Sequence, residues 1–171
     1  LRSLDRFLDA YHSDGGCDEG TSYWGRAGGS MFDCLELLHG ATGGWIDVYG
    51  EPLIANLGRF MPRTHIDGDW FVNFADGGAR VRIAADLVYR YGRRVGDSQM
   101  MALASSFHHR WSAPAPQGAR GDSLLRRLPA LFNLTELQAA TAQAPYIRDV
   151  WLDGLQVMVA RETEGSARGF Y

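Results

Sequence analysis

Apolar residues recur at three- and four-residue intervals in one short segment after another, and glycine or proline cuts each segment off, so the chain is restricted to short amphipathic helices packed side by side. Leu4, Phe7, Leu8 and Tyr11 form the first such stripe, which stops at the HSDGG that follows. Met31, Phe32, Leu35 and Leu38 form the second, running to His39 and Gly40, with Gly43 and Gly44 just beyond. A third helix is expected from Glu51 to Met61, with Pro52 in the first turn, where its missing amide hydrogen costs nothing. Asp97 can cap a helix carrying Met100, Leu103, Ala104, Phe107 and Trp111. Asp122 or Ser123 can cap another carrying Leu124, Leu125, Leu128 and Leu131, after residues 112–121, which have the composition of an exposed loop. Thr135 to Ala144 reads as a further short helix closed by Pro145.

Two stretches depart from this period. Trp70, Val72 and Phe74 alternate against Phe71 and Asn73 like a short strand or extended loop, an excursion before helical spacing resumes. From Tyr146 the texture changes again. Ile147, Val150, Trp151 and Leu152 are followed by Leu155, Val157 and Val159 at period two, and Asp153 and Gly154 between them supply a hairpin turn. The expected architecture is therefore mainly α, about six helices over residues 1–145, with short β-strands at the C-terminal end over residues 146–171.

With 171 residues, 46% of them hydrophobic, the chain can bury one ordinary core. Its 17 basic residues are all arginine and are outnumbered by 20 acids, so a net charge of -3 offers no bulk attraction to nucleic acid or anionic lipid, and neither is expected as a partner. No apolar run approaches the roughly 18 residues that span a bilayer, and Arg2, Asp5, Arg6 and Asp9 stand where a signal peptide would be apolar. The chain starts without Met and ends on GSARGFY, which points to a piece of a longer protein whose compartment stays open, the periplasm and the exterior included. Cys17 and Cys34 lack metal-site or thioredoxin-like spacing; two buried free thiols are the plain reading, and a single disulfide stays open for an exported parent.

Polar and aromatic residues are densest from Asp14 to Gly29, where six glycines interleave with Asp18, Glu19, Tyr23, Trp24 and Arg26. One reading is a glycine-rich linker capped by Thr21 or Ser22. The other is a sugar-binding cleft: Trp24 offers a flat apolar face, Asp18 and Glu19 accept hydrogen bonds from hydroxyls, and Arg26 grips a carboxylate. The second cluster, RTHIDGDWFVNFADGGAR, holds His65, Asp67, Asp69, Trp70, Asn73 and Asp76. Its DGD opening does not make a calcium loop, because Phe71 stands where an oxygen ligand is needed and the closing Glu is missing, so no metal is expected. His65, Trp70, Asn73 and Asp76 can contribute to the sugar cleft, or the segment is a turn with internally bonded Asp and Asn side chains. His108 and His109 are adjacent and diverge on a helix, while His12 and His39 stand at helix ends.

The stretch DGGCDEGTSYWGRAGGSMFDCLELL resembles the segment of the heparinase II/III-like polysaccharide lyases in which DGG, an acid and Gly precede a Tyr-aromatic pair. The resemblance implies an α/α toroid followed by β-sandwich sheets, and cleavage of uronate-containing acidic polysaccharides by β-elimination without a cofactor. It also implies that Tyr23, matching the family's tyrosine, serves as proton donor and often as base. Elimination must remove a weakly acidic proton beside a uronate carboxylate, neutralise that carboxylate and protonate the departing oxygen. A free phenol, with a pKa of about 10, suits the last task and needs nearby positive charge for the first. The family's carboxylate-neutralising Asn or His lies several dozen residues upstream of the tyrosine, and its His-rich strand would follow Tyr171. The isolated chain is therefore expected to be inert, with His65 the first candidate partner should it turn over, and to self-associate through uncovered helix faces and strand edges. Two other readings remain open: a glycosidase on an α/α toroid using Asp18 or Glu19 as its acid, and a non-catalytic glycan-binding protein.

Overall fold

A computed structural model describes residues 2–111 and 124–171. The capping Asp122 or Ser123 and the 112–121 loop lie outside the described residues. The order is α1 (Arg2–Asp9), a short 3-10 turn (Thr21–Tyr23), α2 (Gly28–Ala41), α3 (Pro52–Thr64), β1 (His65–Asp67), β2 (Trp70–Phe71), α4 (Ala85–Val95), α5 (Ser98–Arg110), α6 (Leu124–Ala139), β3 (Asp149–Leu152), β4 (Val157–Arg161) and β5 (Gly169–Phe170). The mainly helical expectation holds.

Local chemistry accounts for several boundaries. Pro52 opens α3. Gly96, with φ 67°, ends α4 in the left-handed conformation, and its amide reaches back to the carbonyls of Arg93 and Gly92. Asp97 then caps α5 by accepting from the Met100 amide at 2.9 Å, so α4 and α5 pack as a tight hairpin. The first helix is shorter than its apolar stripe: Tyr11 lies beyond it yet still meets Phe7, with ring centroids 5.0 Å apart.

Three expectations need correction. Thr135 to Ala144 is not a separate helix, because α6 runs without a break through Asn133 and Leu134 to Ala139, and residues 141–147 carry no regular structure. The excursion is a small antiparallel pair with a register shift in β1, so alternation lasts only two residues; Trp70 points out while both Phe71 and Val72 are buried. The C-terminal hairpin pairs Leu152 with Val157, leaving a four-residue turn, Asp153 to Gln156, in which Gln156 takes φ 55°. Leu155 therefore belongs to the turn.

The core is aromatic at its centre. Phe32 of α2 stacks on Tyr91 of α4 at 4.3 Å between centroids, and Trp24 also stacks on Tyr91, at 6.2 Å. Both polar tips are satisfied by α3: Tyr91 donates its hydroxyl to the Ile54 carbonyl, and Trp24 its indole N–H to the Leu57 carbonyl at 2.6 Å. Each fully buried large apolar side chain here, such as Phe60 or Leu87, contributes roughly 1.5–3 kcal/mol. The β3–β4–β5 sheet shares this core. Leu152, Val159 and Arg161 face inward and are buried, while Trp151, Met158 and Phe170 are exposed on the outer face. Arg161 acts as a polar rivet, donating to the carbonyls of His65, Ile66, Ile147 and Ser166, which joins β4 to β1. Exposed apolar residues also lie on α6, where Leu131 and Phe132 face solvent.

Candidate functional site

The glycine-rich segment from Asp14 to Gly29 is pinned at three points, and the pins determine what it presents. Gly20, at φ 93°, lies so close to the Phe74 carbonyl and to Gly77 that a Cβ would stand 2.7 Å from that oxygen, so only glycine lets the two segments meet. The Thr21 hydroxyl, which is buried, is within 3.3 Å of both the Thr64 hydroxyl and the Val72 carbonyl. Ser22 Oγ accepts the Gly78 amide at 3.1 Å. The turn on the other side is held by Asn73, whose amide donates to the Gly77 carbonyl at 3.0 Å, with Ala75 at φ 49° between them. The two polar clusters of the sequence, joined by contacts that span 43 to 56 positions, thus form one surface.

That surface carries Tyr23, half-buried at the end of the 3-10 turn, with the Arg26 guanidinium 5.7 Å from its ring centroid. The Tyr23 hydroxyl has no hydrogen-bond partner among the described residues, so the phenol is available to a ligand. Asp18, Glu19, Asn73 and Asp76 are exposed around the same two segments. The arrangement offers a proton donor, a cation able to bind a carboxylate, and several acceptors for hydroxyls. Among the described residues no three His, Cys, Asp or Glu side chains gather to hold a metal ion.

Trp24 departs from its expected role. It exposes 2% of its surface, and its ring lies in the core, so it cannot offer a face to a sugar; burying it orients the turn and leaves Tyr23 outside. His65 is equally enclosed, at 1% exposure. Its Nε2 donates to the Gly68 carbonyl at 3.1 Å, its ring stacks on Tyr146, and burial pushes its pKa down to about 4. It borders a different cleft, with Arg110, Gln143 and Tyr146. Trp70 is half-exposed, but the Arg80 guanidinium lies 5.5 Å from its ring and is itself paired with Asp69. Asp67 behaves as the turn reading expects, accepting from the Gly68 amide, and also from the Tyr146 hydroxyl, which holds its carboxyl below the ordinary carboxylate range. Cys17 is buried and Cys34 exposed, and both are free thiols, which corrects the expectation that both are buried.

Sequence reasoning missed a second group. Asn56, Arg59 and Arg63 share one face of α3, and Asn56 and Arg63 line a polar cleft with Trp151 of β3. Their spacing of three and four was a readable signal, masked by the stronger apolar stripe on the same helix. Compared with known proteins, the chain matches no family model and no curated sequence.

Proposed function

We propose that the chain carries the tyrosine-bearing part of a polysaccharide-lyase site for uronate-containing glycans, on helices that form part of an α/α toroid, with β3–β5 opening a sandwich. The observation that supports this most is the union of the Gly20–Tyr23 turn with the Asn73–Gly78 turn, which gathers a partnerless phenol, an arginine and hydroxyl acceptors on one surface.

In this reading Arg26 binds the uronate carboxylate and so stabilises charge developing on the adjacent carbon as its proton leaves. The electron pair of that carbon–hydrogen bond becomes a carbon–carbon double bond, and the glycosidic carbon–oxygen bond breaks. Tyr23 delivers a proton to the departing oxygen. Tyr23 is also the base: it enters as the phenolate, takes the proton from carbon and hands that proton to the departing oxygen, so the elimination leaves it unchanged.

The test is turnover of uronate polysaccharides by the longest gene product that includes this sequence, followed through the ultraviolet absorbance of the unsaturated product. Tyr23→Phe should abolish that absorbance and leave the circular dichroism unchanged; undiminished activity removes the assignment. Product analysis decides the chemistry, since hydrolysis by Asp18 or Glu19 would incorporate solvent oxygen and form no double bond.

A further inference from the structure

A cleft of about 500 Å³ opens between α3, the start of α5 and β3, bordered by Asp14, Asn56, Arg63, Gln99, Asp149 and Trp151. None of the residues around Tyr23 borders it.

The charges in this cleft are unequally committed. Arg59, one turn earlier on α3 and outside the cleft lining, is paired with Asp97, with Nε 2.7 Å from Oδ2. Arg63 donates to the Asp14 carbonyl at 3.2 Å and to Asn56 Oδ1 at 3.3 Å, and has no ion pair among the described residues. A guanidinium has five donors, so Arg63 retains free N–H groups and its whole charge. It keeps them despite partial burial, which pulls its pKa below the usual arginine value, an effect that the neighbouring charge of Arg59 adds to. Neither acid at the rim forms an ion pair with Arg63, although the Asp14 charge attracts it and partly offsets the effect of burial. The Asp14 carboxylate accepts from the amides of Gly16 and Gly154, and Asp149 pairs with Arg148 at 3.5 Å. The Gln99 side-chain amide has no hydrogen-bond partner among the described residues. Trp151 is 55% exposed beside them, with its indole N–H on Asp153 holding the ring in place.

We propose that this cleft is a subsite for a hexuronate residue of an acidic glycan, with Arg63 taking the carboxylate and Trp151 covering one face of the pyranose ring. The Gln99 amide and the Asp149 carboxylate meet ring hydroxyls. The ligand class rests on the glycan reading of the Tyr23 surface. An aromatic ring beside an arginine could also hold a nucleoside phosphate, but two carboxylates at the rim oppose a dianion and suit hydroxyls.

Calorimetric binding of short oligomers of galacturonate and of hyaluronan to the whole chain tests the subsite, with neutral oligogalactose and adenosine monophosphate as comparison ligands. At least one uronate oligomer should bind, and oligogalactose should bind about tenfold more weakly or worse. Trp151→Ala, which truncates an exposed side chain, should weaken uronate binding about tenfold. Arg63→Gln should do the same and Arg63→Lys less, with circular dichroism confirming the fold of each. Trp45→Ala, removing an exposed tryptophan elsewhere, should bind as the parent does. The proposal is overturned if neither uronate oligomer binds, if the neutral oligomer or adenosine monophosphate binds as well as the uronates, or if Trp151→Ala binds like the parent. Trp151-dependent binding without Tyr23-dependent turnover would leave the subsite and remove the elimination reading. Tyr23-dependent turnover with binding indifferent to Trp151 would do the reverse.

Discussion

Asp14 holds Gly154: one carboxylate oxygen accepts the Gly154 amide at 2.8 Å across 140 positions of sequence, while the other accepts from Gly16 at 2.9 Å. A single side chain thereby ties the start of the glycine-rich segment to the turn of the β3–β4 hairpin. Leu155 of the same turn packs beside Gly16, where an added Cβ would stand 2.5 Å from the leucine side chain. The hairpin and the Tyr23 segment are consequently referred to one common point.

Asp14→Ala should destabilise the chain by about 3 kcal/mol, the lower end for two lost hydrogen bonds to a charged, part-buried acceptor at about 1.5–3 kcal/mol each. Asp14→Asn keeps one acceptor oxygen and should cost about half as much. Urea denaturation measures the loss, and amide exchange at Gly154 localises it. A variant as stable as the parent would show that the tie contributes nothing.

Stability should fall as the pH drops from about 6.5 to 4, the interval between the ordinary histidine pKa and that of buried His65. Desolvation keeps the folded imidazole neutral there while the unfolded one takes up a proton, so the unfolded state gains. The shift corresponds to a loss on the order of 3 kcal/mol by the lower end of that interval. His65→Gln offers an amide N–H in place of the imidazole and should remove this component. Denaturation midpoints of both proteins across the interval supply the difference, and parallel curves would count against it.

The two thiols should separate cleanly by reactivity. Cys34 is exposed and Cys17 buried, with the Cys17 pKa raised chiefly by desolvation, so its thiolate fraction is small. A disulfide-exchange reagent should therefore titrate one thiol in the native chain and two in denaturant. Equal rates under native conditions would contradict the packing around Cys17.

Trp24→Phe should cost about 1–3 kcal/mol, since it leaves the buried Leu57 carbonyl without its indole donor while keeping most of the apolar volume. Trp24→Ala should cost about 3–5 kcal/mol through the cavity it opens. Thermal denaturation distinguishes the two. Loss of glycan affinity by Trp24→Phe without loss of stability would instead return Trp24 to the binding surface.

Much of the helical framework was legible because its signals are local. The α3 proline, the Asp97 cap and the apolar stripes of α2 and α5 each depend on residues within a few positions of one another. The reading failed where local pattern was ambiguous. Trp24, in a glycine-rich polar stretch, has the texture of an exposed platform, yet its hydrogen-bond partner lies 33 residues on, in α3. Leu155 continues a period-two pattern, but the register that leaves it in the turn is set by pairing across β3 and β4.

The sequence by itself determined the mainly helical character, the position of most helices and the C-terminal hairpin, because spacing, caps and breakers act through neighbouring residues. It also supplied Tyr23 and Arg26 within one turn of each other. Only the tertiary structure decided that the Gly20–Tyr23 and Asn73–Gly78 turns form one surface, that His65 is enclosed, and that Arg63 faces a cleft with Trp151. Those facts follow from how separate elements dock, and docking is governed by close packing and by pairing of buried polar groups across long sequence separations, which leave no periodic trace in the chain.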